Sequence, residues 1–158
     1  MAEEKKGQFP SSLKEARQHG SFSFPCAFYQ AMPETNPPGV PFTVRHHWHE
    51  PVEIIYLEQD SYQVDINTTL THLKSPCFCF INSGELHALI SDSDQYQEQA
   101  VVFSSDLLTF ATPDPAQEQF VLPLSEHKLS FPPFLGSEHP AFSEATFEYL
   151  TPSGQLSG

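Results

Sequence analysis

The segment PVEIIYLEQ (51–59) carries apolar side chains on both parities, with Val52, Ile54 and Tyr56 on one and Ile55 and Leu57 on the other. Side chains of a strand alternate faces, so such a strand is buried on both sides, as in a sandwich or a barrel. Its neighbours carry strand patterns too. SYQVDIN (61–67) alternates strictly, with Tyr62, Val64 and Ile66 on the apolar side, and Asn67-Thr68 turns the chain into LTHL (70–73). CFCFI (77–81), LHALI (86–90) and QAVVF (99–103) follow, separated by the polar turns NSGE (82–85) and SDSDQ (91–95). Short consecutive strands with turn signals between them predict an all-β barrel or double-stranded sandwich.

Composition narrows the function classes. The chain has 158 residues, the length of one domain with a proper core. Hydrophobic residues make up 39%, including 14 Phe, which excludes a disordered chain. Fifteen prolines favour strands and loops over helices. A net charge of −13 repels phosphates and excludes a nucleic-acid-binding face. The three cysteines are odd in number, and Cys77 and Cys79 point in parallel from one strand face, so reduced buried thiols are expected. No apolar run approaches transmembrane length and MAEEKKGQF carries no secretory pattern, so the expected location is cytoplasmic, with no membrane partner.

Around the strands the chain predicts a short arm and a terminal helix. Ser12 and Glu15 have capping-box spacing and Gly20 suits a stop, which predicts a helix in SSLKEARQHG (11–20). Pro25, Pro33, Pro37, Pro38 and Pro41 then give an extended arm. SSDLLTF (104–110) reads as a short Ser-capped helix and QFVLPL (119–124) as a last strand. FSEATFEYL (142–150) reads as a helix with Phe142, Ala145 and Leu150 on one side, and TPSGQLSG as a linker. The expected division is an arm at 1–20, a barrel at 21–135, and a helix with the start of a linker at 136–158.

Two segments carry the chemistry, HHWHEPVE (46–53) and NSGELHAL (82–89). His47, His49 and Glu53 share parity and can face one interior, and His87 returns after the intervening strands. Imidazole and carboxylate suit Zn, Ni, Fe or Mn, and three His with one Glu can close a coordination shell. The same groups can instead line a polar ligand pocket without metal. Arg45 shares the parity of His47 and is expected at the pocket mouth, and Tyr62 is expected as an aromatic wall. His46 and Trp48 have the opposite parity and are expected outside. His19, His72, His127 and His139 are expected to be solvated.

The pattern HxHxxxE of His47, His49 and Glu53, with the GxxH of Gly84 and His87, resembles the two motifs of the cupin superfamily. The longer runs RHHWHEPVEIIYLEQ, FINSGELHAL and VVFSSDLLTF resemble the N-terminal sensor domain of arabinose-regulator-type (AraC-type) transcription factors, over residues 20–150. Asp60, Ser75-Pro76-Cys77 and Asn82 depart from the family's usual turn residues. The resemblance implies a cupin-type double-stranded β-barrel (jelly roll) that binds a small polar effector, of which a sugar is one candidate, and that forms a homodimer. DNA would be contacted only through a C-terminal helix-turn-helix domain, which nothing after Leu150 can form; the chain therefore reads as the sensor half of a longer regulator. The expected module is not an enzyme; the alternative is a small metal-dependent cupin enzyme of isomerase or dioxygenase type. The apolar side of residues 137–150, with Phe142, Phe147 and Leu150, is the expected dimer surface.

Overall fold

The computed structural model describes residues 9–109, 112 and 114–150, with the backbone alone for 147–150. In chain order the strands are β1 (Cys26–Ala31), β2 (Thr43–His47), β3 (Val52–Gln59), β4 (Ser61–Ile66), β5 (Thr69–Lys74), β6 (Cys77–Ile81), β7 (His87–Ser91), β8 (Gln97–Phe103) and β9 (Phe134–Gly136). They form two antiparallel sheets, one of order β1-β8-β3-β6-β9 and one of order β2-β7-β4-β5. Most consecutive strands change sheet, while β4 and β5 stay in the smaller sheet as a hairpin, which gives the double-stranded barrel, of jelly-roll type.

The two-sided apolar pattern of β3 has a direct cause. On its inner side Ile55 and Leu57 join Tyr62, Val64, Cys79 and Ile81 in the core between the sheets. On its outer side Tyr56 packs on Phe78, and Phe78 in turn meets Phe142 at a centroid distance of 5.8 Å. Phe142 opens helix α2 (Phe142–Leu150), so the C-terminal segment covers the outside of the larger sheet. Phe80 stacks on Phe131 in the same layer. Cys77 and Cys79 are free and buried, and burial pushes the Cys77 thiol up to about 11, so both act as small apolar side chains. The side chains of Phe147 and Leu150 and the linker at 151–158 lie outside the described residues.

Turn chemistry fits the residues. Asn67 and Thr68 take φ of 50° and 69°, the paired left-handed conformation of a tight hairpin, between β4 and β5. Gly84, at φ 78°, makes the turn before β7 where a side chain would be strained.

Several elements differ from expectation. The arm helix is one 3₁₀ turn, Ser11–Leu13, without a side-chain cap; Lys14 after it is extended and bridged to Trp48. Seven or so residues cannot sustain a helix alone, and the bridge to the barrel wins. The Pro-rich stretch contains β1, which pairs along its whole length with β8. QFVLPL is helical: a π turn at Gln117–Val121 runs into α1 (Leu122–Ser125). Asp114 starts it by accepting the Gln117 N–H, and Pro123 sits in the first turn of α1, where its missing N–H costs nothing. The last strand is instead β9, which follows this helix and pairs with β6. Ser104 does cap a short helix, Ser105–Leu108, by accepting the Asp106 N–H. Among the described residues no helix is long and apolar enough to cross a membrane.

Candidate metal and ligand site

β2 ends at His47, and the chain crosses to the other sheet through residues 48–51 before β3 begins at Val52. His47, His49 and Glu53 therefore do not share one strand, as parity suggests. His47 closes β2, His49 sits in the crossover, and Glu53 lies near the start of β3. His87 opens β7 directly opposite His47, with ring centroids 4.2 Å apart. The Gly84 N–H donates to the His49 carbonyl and clamps the 82–85 turn against the crossover. These strand ends bring one ligand atom from each of His47, His49, Glu53 and His87 to within 4.8 Å of one another.

Hydrogen bonds fix the orientation of all three rings. Each Nδ1 lies 2.9 Å from a carbonyl two residues away: His47 on Arg45, His49 on Pro51, His87 on Glu85. A carbonyl only accepts, so each Nδ1 carries the proton and each Nε2 turns a lone pair toward the centre. There His49 Nε2 lies 3.1 Å and His87 Nε2 3.2 Å from Glu53 Oε2. The His87 contact is off-line for a hydrogen bond, which leaves that buried nitrogen without a partner. An acceptor facing a carboxylate needs a cation between them, either a proton or a metal ion.

Electrostatics agree with that need. Burial pushes the Glu53 carboxyl up, but the hydrogen bond of His49 and the close His87 imidazole, with the charge of both rings, outweigh it and hold it at about 2. Burial lowers His49, yet its bond to Glu53 and that carboxylate's charge raise it overall. His47, without a carboxylate on it, is lowered by burial. A divalent ion fits this donor set: two ligands held about 2.2 Å from one ion lie at most roughly 4.4 Å apart, close to the separation seen here. Bound there by His47, His49, Glu53 and His87, it would supply Lewis acidity to a neighbouring oxygen.

Beside the cluster lies a cavity of about 270 Å³. Its walls are Glu15, Arg17 and His19 of the N-terminal segment, Tyr29 and Ala31 of β1, Phe42 and Val44, and Glu98, Ala100 and Val102 of β8. The N-terminal segment is strapped on by two backbone bonds, Glu15 N–H to the Trp48 carbonyl and Trp48 N–H to the Leu13 carbonyl. His19, expected in solvent, is buried. Its Nε2–H donates to Glu15 at 2.7 Å and its Nδ1 accepts from the Tyr29 hydroxyl at 2.7 Å. Both nitrogens are thus engaged, which makes His19 a fastener of the strap; one ligand atom from each of Glu15, His19 and His49 also lies within 4.8 Å of the others.

Glu98 is the other residue not foreseen. It is buried at 6% exposure, lines the cavity, and its carboxyl has no hydrogen-bond or ion-pair partner among the described residues. Burial, with the Glu53 charge adding to it, pushes its carboxyl up to about 8.

Two expected pocket residues lie elsewhere. Arg45 is exposed and lines an outer groove with Asp65 and Leu70. A register shift between Val44 and His47 breaks the alternation, so Val44 faces the cavity and Arg45 faces out. Tyr62 is fully buried in the core, where its hydroxyl donates to the Gln97 carbonyl, and it does not line the cavity. His46, on Asp65, and Trp48, on the Pro10 carbonyl, lie outside the cluster as expected. His72 is exposed and pairs with Asp92.

No family model matches the chain, and no curated protein matches it. Among solved structures the chain is similar to a predicted oxalate decarboxylase of Thermotoga maritima, at 25% identity and a TM-score of 0.40 over 50% of this chain and 64% of that one. It is also similar to a cupin superfamily protein of Desulfitobacterium hafniense, at 12% identity and a TM-score of 0.42 over 66% and 94% of the two chains. A third is a transcriptional regulator of Vibrio cholerae, at 10% identity and a TM-score of 0.40 over 52% and 45%. The chain spans less than two thirds of the first and third of these proteins.

Proposed function

We propose that this chain is the effector-sensing and dimerisation module of an AraC-type transcription regulator, and that its cavity holds a small polar effector beside a divalent metal ion. The observation that carries this is the strap: Glu15, Arg17 and His19 of the N-terminal segment form one wall of the cavity that contains the metal-fit cluster. A ligand in that cavity touches the strap, so occupancy changes how firmly the strap is held. Such coupling between a site and a segment held on by a few hydrogen bonds is what a sensor requires. Buried polar groups need partners, which an effector or ion would supply. In this reading the module is cytoplasmic and homodimeric. With a net charge of −13 it leaves DNA contact to a separate helix-turn-helix domain.

The second reading is a small metal-dependent cupin enzyme, and the complete His47, His49, Glu53 and His87 set favours it. One experiment separates the two. The purified chain is loaded with Zn, Ni, Fe or Mn, and backbone amide exchange across residues 9–20 is followed as small polar compounds, sugars included, are added. The sensing reading expects binding to slow strap exchange several-fold without turnover. It also expects His47→Ala with His49→Ala to abolish metal content while far-UV dichroism stays unchanged. Metal-dependent turnover with no change in strap exchange would replace this reading by the enzyme.

A further inference from the structure

The cavity has two polar ends, and only one of them finds partners among the described residues. Along the β3–β8 ladder Glu53 lies opposite Val102, Ile55 opposite Ala100, and Leu57 opposite Glu98. The cluster and Glu98 are therefore four residues apart along β8, roughly 14 Å at the backbone. The floor is small: Ala100 of β8 lies between them, and Ala31 of β1 lies directly opposite Glu98. Larger side chains there would fill the space that joins the two ends.

At the cluster end, Glu53 is met by His49 and His87, and on the strap Glu15 is met by His19. Glu98, which is also buried, alone among these acids has no partner among the described residues. The rings of Tyr29 and Phe42 share its cavity, and Tyr29 already takes a cation on its face, with the Arg17 guanidinium 5.4 Å from the centroid. A buried acid without a counter-charge, beside aromatic faces, is the chemistry that recognises an ammonium group. A neutral hydrogen-bond acceptor would be served as well by Gln, without the cost of burying an acid. The acidic surface, at −13, also draws cations toward the mouth.

We infer that the cavity is a site for a small ω-amino acid, whose carboxylate lies on the metal-loaded cluster and whose ammonium group pairs with Glu98. This rests on the ligand-sensing reading above and names the class of ligand that site takes. The volume of about 270 Å³ holds roughly nine water-sized groups, which matches a chain of four to six carbons with its two polar ends. The ammonium would provide the charge that Glu98 otherwise lacks in the apolar cavity.

The test is calorimetric titration of the Zn-loaded chain with 4-aminobutanoate, 5-aminopentanoate and 6-aminohexanoate, each against the acid lacking the amine. At least one amino acid should bind ten-fold or more tighter than its des-amino partner. Glu98→Gln, which keeps the shape, should reduce that preference to less than two-fold at unchanged Zn content. Glu98→Asp should keep the preference and move the optimum to a longer chain. Equal binding of amino and des-amino acids, a preference that survives in Glu98→Gln, or a Zn-loaded wild type that binds none of them would each overturn the inference while the metal-holding pocket stands. A wild type that holds no Zn and binds nothing would remove the sensing reading as well.

Discussion

The two ends of the cavity are built on opposite principles. At the cluster, every imidazole is fixed by a backbone carbonyl, and every acceptor faces a point where one cation satisfies all of them. At Glu98, a buried carboxyl has no such support among the described residues. The first end is organised before anything binds, so little ordering remains to be done on binding. The second is completed only by what enters. A site that combines the two separates holding from discriminating: the cluster sets where a ligand sits, and Glu98 sets which ligand stays.

Removing Glu53 breaks the organised end most severely. Glu53→Gln leaves the raised His49 facing a neutral amide, and loss of one partner of a buried charge pair costs about 3–5 kcal/mol. Chemical denaturation near pH 7 in the metal-free state should show that loss, and metal content should fall with it. The pH dependence follows from the carboxyl held at about 2, below its ordinary 4.5. The stability it gives is complete above pH 4.5 and disappears as pH falls from there through about 2. In Glu53→Gln that acid-side loss should shrink; an unchanged acid limb would mean that the cluster is not what holds this corner.

Glu98 should act with the opposite sign. Its carboxyl is raised to about 8, so the folded chain binds a proton that the unfolded chain releases near 4.5. Its neutral form is fully stable below pH 4.5, and stability declines as pH rises toward 8, at no more than about 1.4 kcal/mol per pH unit. Denaturation curves between pH 5 and 8 should flatten in Glu98→Gln. The same slope in both proteins would show that Glu98 meets a counter-charge, and would erase the contrast between the two ends.

The smallest effect is expected at the strap. Tyr29→Phe removes the hydroxyl that donates to His19, a bond worth about 1 kcal/mol. Amide exchange in residues 9–20 should quicken several-fold, while metal content stays at the wild-type level. A drop in metal content would instead make the strap part of the cluster.

The strands from 52 to 103 were legible because alternation and turn residues agree with each other there. Tyr62, Val64 and Ile66 mark one face, and Asn67-Thr68 marks the hairpin. β1 was hidden because CAFYQA lies among prolines and owes its strand form to pairing with β8. QFVLPL looked extended because its helix depends on Asp114 and on packing beside the barrel, not on a periodic pattern of its own. At the site, the identity of the four donors was legible from spacing, but the reason for their meeting was not. A change of sheet at 48–51 does what shared parity seemed to do, and a register shift sends Arg45 outward. His19 carries no local signal, since its burial depends on a strap that only the folded barrel holds. Glu98 did carry one: it shares parity with Ala100 and Val102 in a buried strand, and an acid on that face can only point inward.

The crossover at 48–51 also bears on how the barrel opens. His47 and His87 belong to one sheet and Glu53 to the other. An ion bound by all of them is a rivet through the seam of the sandwich, on the edge nearest the strap. Parting the two sheets at that edge would then require breaking a coordination bond first. The rate at which the barrel breathes there would follow the free metal concentration of its surroundings.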